Sequence, residues 1–186
     1  MDKQQSLDLL KQYVKNENLV KHCLASGAVM AALADKLGQD KQLWQAAGLL
    51  HDIDVELAQQ QGDLMKLHGV LSRALLQGKL PEEGLQAIEA HSEYTGVRNP
   101  QALFDYALRA GETITGLIIA TAYVYPDKKL SSVKVKSITK RMKEKSFAAA
   151  VSREKIMECE KLGITLDDFA ALALTAMQDI APELGL

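Results

Sequence analysis

The chain has 186 residues, 47% of them hydrophobic, which is enough for one domain with a substantial core. Its net charge of −2 excludes a general nucleic-acid binder, although residues 131–155 carry eight Lys or Arg against two Glu. Two widely separated cysteines, Cys23 and Cys159, exclude a disulfide framework and suit a reducing compartment. The first residues lack a signal-peptide pattern, and the most apolar run, 114–125, is too short to span a bilayer. We therefore expect a cytoplasmic protein without membrane contact.

The first predicted helices are marked by residues typical of helix ends. Asn18 is a capping residue, and apolar positions recur at helical spacing up to Leu37, where Gly38 ends the helix. Asp40 caps the next helix, which runs into the sequence HDID at 51–54. Two successive amphipathic helices are therefore predicted.

Prolines mark the start of the next two helices. Pro81, at a first-turn position, opens a helix towards His91. Asn99 and Pro100 predict the start of a long helix that ends before Pro126.

The C-terminal part of the chain is also predicted to be helical. Thr165 and Asp168 form a capping-box pattern for a last helix that closes near Gly185. Alternation of apolar and polar residues, the pattern of a strand, is found only at 132–138. Since no repeat or linker interrupts the chain, we predict a single all-α domain over residues 1–186.

The histidines are few, and all lie in the first half of the chain, inside or at the edge of predicted helices. They are His22, His51, His68 and His91. His51 and Asp52 point about 100° apart on an ideal helix, so both reach one ion only if it lies between them. Taken alone, an HD dipeptide is more often the solvated last turn of a helix. Carboxylates directly after buried leucines are nevertheless costly to desolvate unless a cation compensates them.

Several segments together resemble the HD-domain superfamily of metal-dependent phosphohydrolases, in particular a bacterial HDIG-type subgroup. They are LVKHCLASGAVMAALA (19–34), GLLHDIDVE (48–56), EAHSEYTG (89–96), ALRAGETITGLIIATA (107–122) and VKSITKRMKEKSFAAAVSRE (135–154). The resemblance implies a compact bundle of helices with an HD core at about 18–125. Basic and C-terminal helices at about 131–186 form an extension of that core.

The resemblance also implies a set of metal ligands. The first-site ligands are His22, His51, Asp52 and Glu112, and the second-site candidates are His68 and His91. The chain departs from the subgroup at two positions, since Glu112 stands where Asp is usual and Asp54 replaces the glycine of HDIG. Glu binds the same cations as Asp, but its reach differs by one methylene.

Mixed imidazole and carboxylate ligands favour a divalent transition metal, Mn, Fe, Co, Ni or Zn, over Mg or Ca. One or two ions are compatible with the ligand set, and Asp52 is the natural bridge between two. Bound metal lowers the pKa of water and polarises phosphoryl oxygens. Asp54 either orients that water or protonates the leaving group, or it is a helix-end residue that faces solvent.

The basic segment is the predicted phosphate-binding region, through Lys140, Arg141 or Arg153. A solvated helix face is the alternative for any such run of charge. Nucleic acid is an unlikely partner because only Phe147 offers an aromatic side chain for stacking there. Gly116 is expected to allow close helix packing or to leave room beside Glu112.

The predicted function is hydrolysis of a small phosphomonoester or nucleotide by a metal-activated water. The alternatives are an HD-fold di-iron oxygenase, which the same ligands permit, and a non-catalytic ligand-binding module. Neither the oligomeric state nor the substrate follows from the sequence.

Overall fold

The computed structural model describes residues 1–92 and 95–186, so Glu93 and Tyr94 of the segment EAHSEYTG lie outside the described residues. The described part contains helices and no β-strand, which confirms the all-α prediction. The helices are α1 (Lys3–Tyr13), α2 (Glu17–Leu37), α3 (Lys41–Leu50), α4 (Val55–Gln60), α5 (Leu64–Leu67), α6 (Val70–Leu76), α7 (Glu82–His91), α8 (Leu103–Tyr123), α9 (Val135–Met142), α10 (Arg153–Met157), α11 (Leu166–Gln178) and α12 (Ala181–Leu184). Short 3-10 helices lie at Leu130–Ser132 and Glu158–Leu162.

Helices α2 and α3 form a tightly packed hairpin. Gly38 ends α2 with φ of 65°, a conformation that a side chain disfavours, and the short turn lets α3 return along α2. At the crossing, a Cβ on Gly48 would lie only 2.9 Å from the Cα of Gly27. Because the helices run antiparallel, His22 before Gly27 and His51 after Gly48 lie at the same end of the hairpin.

Helix α8 is buried along most of its length and packs against α2, α7 and α10. Its close approach to α2 depends on Gly111, where a Cβ would lie 2.9 Å from the Sδ of Met30. Arg109 fixes its other side, because it forms a two-pronged ion pair with Glu158 and donates to the Ala90 carbonyl oxygen. These contacts place Glu112 and the end of α7 beside the α2–α3 hairpin.

Two predicted caps of the hairpin are tested by the structure. Asp40 caps α3 as predicted, because its carboxylate accepts from the backbone N–H of Leu43 at 3.0 Å. The cap of α2 is Asn16 rather than Asn18, since the Asn16 amide oxygen accepts from the backbone N–H groups of Asn18 and Leu19. Both asparagines suit a cap, and a contact from a distant part of the chain fixes the earlier one, because the backbone N–H of Asn16 donates to the Glu56 carboxylate at 2.7 Å.

The later helix starts also differ in detail. Pro81 precedes α7 and occupies the cap position instead of the first turn. Helix α8 begins three residues after Pro100. Its start is set by Asp105, whose Oδ2 accepts from the backbone N–H groups of Gln101 and Ala102.

Thr165 caps α11 and accepts from the backbone N–H of Asp168, as predicted. The predicted single helix up to Gly185 is interrupted, however, and α12 forms its last turn separately. The segment 132–138 is a 3-10 turn followed by the start of α9, so its alternation does not indicate a strand. No helix in the described part of the chain has the length and apolarity to cross a membrane.

Candidate metal centre

The Nδ1 atoms of His22 and His51 are hydrogen-bonded to other groups of the protein. The Nδ1 of His51 donates to the Gly48 carbonyl oxygen at 2.8 Å, so its Nε2 carries the lone pair. The Nδ1 of His22 lies 3.1 Å from the hydroxyl of Thr115. That hydroxyl donates its hydrogen to the Glu112 carbonyl oxygen at 2.6 Å and therefore accepts from His22. Both rings consequently present a bare Nε2.

The other two histidines repeat this arrangement. The Nδ1 of His68 donates to Oδ1 of Asp54 at 2.8 Å, and the Nδ1 of His91 donates to the carbonyl oxygen of Ile88. Such hydrogen bonds to the far ring nitrogen are typical of metal-binding histidines, because they fix the tautomer and the ring orientation. His91 therefore also presents an Nε2 lone pair. His68 presents one in its neutral form, and although burial lowers its pKa, the hydrogen bond to Asp54 and the neighbouring carboxylates raise it overall.

The four Nε2 atoms converge on the carboxylate of Asp52. Oδ2 lies 3.7 Å from His22 and 3.4 Å from His51, whereas Oδ1 lies 3.4 Å from His68 and 3.3 Å from His91. Within each pair of histidines the Nε2 atoms are 3.1 Å apart. Two bare lone pairs at this distance repel each other unless a proton or a metal cation lies between them. The donor set therefore fits divalent metal, which these four imidazoles and the Asp52 carboxylate would hold.

Glu112 completes the side of the centre that contains His22. Its Oε2 lies 3.9 Å from the Nε2 of His22, and its Oε1 accepts from the hydroxyl of Thr113. Ligand atoms of His22, His51 and Glu112 all lie within 4.8 Å of one another, as do those of His51, Asp52 and His91. The longer side chain of Glu112 thus still reaches the position that the resemblance implies for Asp.

Burial and neighbouring charge keep the centre ready for a cation. Burial lowers the pKa of His51 to about 4, and it also lowers the pKa of His22 and His91. Burial alone would raise the pKa of Asp52, but the neighbouring histidines hold it well below its ordinary value. At neutral pH these three imidazoles are neutral and Asp52 is ionised, which is the protonation state that metal binding requires.

The environment of Asp54 differs from both predicted alternatives. It is fully buried, and both oxygens are used: Oδ1 accepts from His68, and Oδ2 accepts from the backbone N–H groups of Gly69 and Ser72 at 2.7 and 2.9 Å. It therefore does not face solvent, and this geometry does not support the predicted role in orienting water or protonating a leaving group. Asp54 positions His68 and joins it to the start of α6.

The predicted phosphate-binding residues are not brought to the centre. Arg153 donates to backbone carbonyl oxygens, those of Ala148 and Val151 at 2.8 and 2.7 Å among them, and so holds the turns before α10. Arg141 pairs with Glu144 at 3.1 Å and lies 3.9 Å above the ring of Phe147.

Lys140 has a side chain that is 78% exposed. It lines a surface cleft with Lys136, Lys143 and Asp167 rather than the cavity beside His22.

That cavity has a volume of about 250 Å³ and opens beside the most exposed of the four imidazoles, since the His22 side chain is 25% exposed and that of His51 only 1%. Its lining consists of His22, Glu112, Thr113, Gly116, Ala150, Val151, Ser152 and Lys155. Lys155 was not singled out from the sequence. It lies two positions after Arg153 on α10. The packing of α10 against α8 directs the Lys155 side chain to the cavity and the Arg153 side chain to the turns before α10.

These features define a class of protein, a helical bundle with a histidine- and carboxylate-rich site suited to divalent metal. The chain belongs to the HD-domain family, because the family model described as HD domain matches residues 19–122, which contain all six predicted ligands. Searches among curated proteins and among solved structures give no match. The HD superfamily consists in general of metal-dependent hydrolases, and divalent metal binding is a property of its members.

Proposed function

We propose that the protein is a metal-dependent phosphohydrolase that acts on a small phosphomonoester or nucleotide. The observation that carries the proposal is the carboxylate of Asp52 between two pairs of histidines, with one oxygen directed at each pair. Residues around Asp52 would hold two divalent ions, and these would supply Lewis acidity and a water of lowered pKa, the chemistry of two-metal phosphoester hydrolysis. Manganese, iron, cobalt, nickel and zinc all suit the mixed nitrogen and oxygen ligands.

The residues of the chain have separate tasks in this proposal. His22, His51 and Glu112 would hold one ion, and His68 and His91 would hold the other, with Asp52 shared. Asp54 and the backbone carbonyl groups keep the imidazoles in the tautomer that leaves Nε2 bare. His22 and Glu112 line the cavity, so the phosphoryl group reaches the centre from their side.

We also propose a cytoplasmic location, because free thiols suit a reducing compartment. Cys23 and Cys159 are both buried free thiols, and burial raises the pKa of Cys159 to about 11, which disfavours the reactive thiolate.

The test begins with protein purified without chelators, whose metal content is measured before and after chelation. Phosphate release is then measured for mono-, di- and cyclic nucleotides and simple phosphomonoesters, with each of the five metals restored. Hydrolysis that disappears on chelation and returns with metal supports the proposal. Absence of phosphate release in every case contradicts it, and iron-dependent oxygen consumption without phosphate release identifies the di-iron oxygenase instead.

A further inference from the structure

The lining of the cavity beside His22 includes the side chain of a lysine, Lys155 on α10. Its ammonium group donates to the carbonyl oxygen of His91 at 3.2 Å, so the end of α7 holds it beside the centre. Glu112 lines the same cavity, so its carboxylate and the ammonium group of Lys155 border the same space. Lys155 is therefore placed where an anion that approaches the metal ligands meets a positive charge.

We infer that Lys155 binds the anionic phosphoryl group of the substrate within this cavity, a role that rests on the proposed function. An ammonium group has three donors and pairs with phosphate as a compact point charge. Without this charge, an entering phosphate would face the carboxylate of Glu112 at close range. The positive charge of Lys155 offsets that repulsion.

The size of the cavity limits how much of the substrate it can hold. A volume of about 250 Å³ is below the roughly 300 to 1,000 Å³ of pockets that enclose whole drug-sized ligands. Gly116 lies one turn after Glu112, and a Cβ there would come within 3.2 Å of the Val151 side chain, so its missing side chain keeps the cavity open. The cavity accordingly has room for the phosphoryl group of the substrate but not for a whole drug-sized ligand.

The decisive experiment measures binding of inorganic phosphate to manganese-loaded protein by isothermal titration calorimetry. Lys155→Met keeps the length and apolar stem of the side chain but removes the charge, and it should raise the Kd for phosphate about tenfold. Lys155→Arg should restore most of the affinity. Lys140→Met is the matched control, because it removes one exposed lysine of the same basic segment, and it should change the Kd less than about twofold.

A second measurement separates phosphate binding from a structural role. If Lys155 acted only by holding the His91 carbonyl group, Lys155→Met would lose bound manganese, so an unchanged metal content together with weakened phosphate binding supports the inference. Wild-type affinity in Lys155→Met, an equal loss in Lys140→Met, loss of metal, or a wild-type protein that binds no phosphate would each overturn it. Lysine-dependent phosphate binding in a protein that hydrolyses no ester would refute the proposed function alone. In an active enzyme, Lys155→Met should raise KM more than it lowers kcat.

Discussion

Replacing Asp54 by Asn is expected to weaken the binding of one of the two proposed metal ions while the fold survives. The asparagine has the same shape, and its amide oxygen can still accept from the backbone N–H groups of Gly69 and Ser72, now 2.7 and 2.9 Å from Oδ2. Its NH₂ group then faces the Nδ1 of His68, which Oδ1 contacts at 2.8 Å in the native protein. Two donors cannot share this contact, so His68 must change tautomer and carry its hydrogen on Nε2. A protonated Nε2 cannot bind metal.

The magnitude follows from the contacts that change. Removing a partner of this kind behind a metal-bound histidine typically costs a factor of about 10 to 100 in metal affinity. Two of the hydrogen bonds to Asp54 also change from a charged to a neutral acceptor, and the third, with His68, reverses direction, at about 1 kcal/mol each, so the metal-free protein should lose about 2 to 3 kcal/mol of stability.

The assays are metal stoichiometry by elemental analysis, urea unfolding of the metal-free protein, and ¹⁵N NMR of the imidazole tautomers. Asp35→Asn is the matched control, because it removes one carboxylate from an exposed ion pair with Lys41. The control should bind as much metal as the wild type. Full metal stoichiometry at unchanged affinity in Asp54→Asn, or an unchanged His68 tautomer, would show that the reasoning about Asp54 is wrong.

The remaining predictions concern metal loss, pH and the turns before α10. Asp52→Ala should lose both ions and all phosphate release but keep its helical circular dichroism signal, because its carboxylate is directed at the histidines; retained metal would contradict the shared-ligand geometry. As the pH falls from 6.5 towards 4, His51 should lower the free energy of unfolding of the metal-free protein by up to about 3 kcal/mol. The reason is that the unfolded chain takes up a proton there, whereas folded His51, with a pKa of about 4, does not. His22 and His91 have lowered pKa values and act in the same direction, whereas the raised pKa values of His68 and Glu112 oppose them, so urea titrations that show stability rising towards pH 4 would refute this balance. Arg153→Met should destabilise the protein by about 2 kcal/mol in urea and leave phosphate affinity unchanged, while the reverse pattern would favour the phosphate-binding role predicted for it from the sequence.

The sequence alone determined the helical class and the chemical character of the centre. Caps such as Asp40 and Thr165 act within one turn of their own helix, so their function is local and visible in the residue pattern. The predicted ligands were also recognisable, because their spacing along the chain resembles that of the HD family, whose match over residues 19–122 contains them. Where several residues suit the same local role, as Asn16 and Asn18 do, packing against the rest of the protein decides between them.

Only the tertiary structure decided how the centre is arranged. The pairing of His22 with His51 depends on the close crossing of α2 and α3 at glycines, and the pairing of His68 with His91 depends on where α7 ends. The buried position of Asp54 and the exposure of Lys155 to the cavity follow in the same way. The direction of a side chain is set by the angle and distance at which helices cross, and those depend on contacts between residues far apart in the chain.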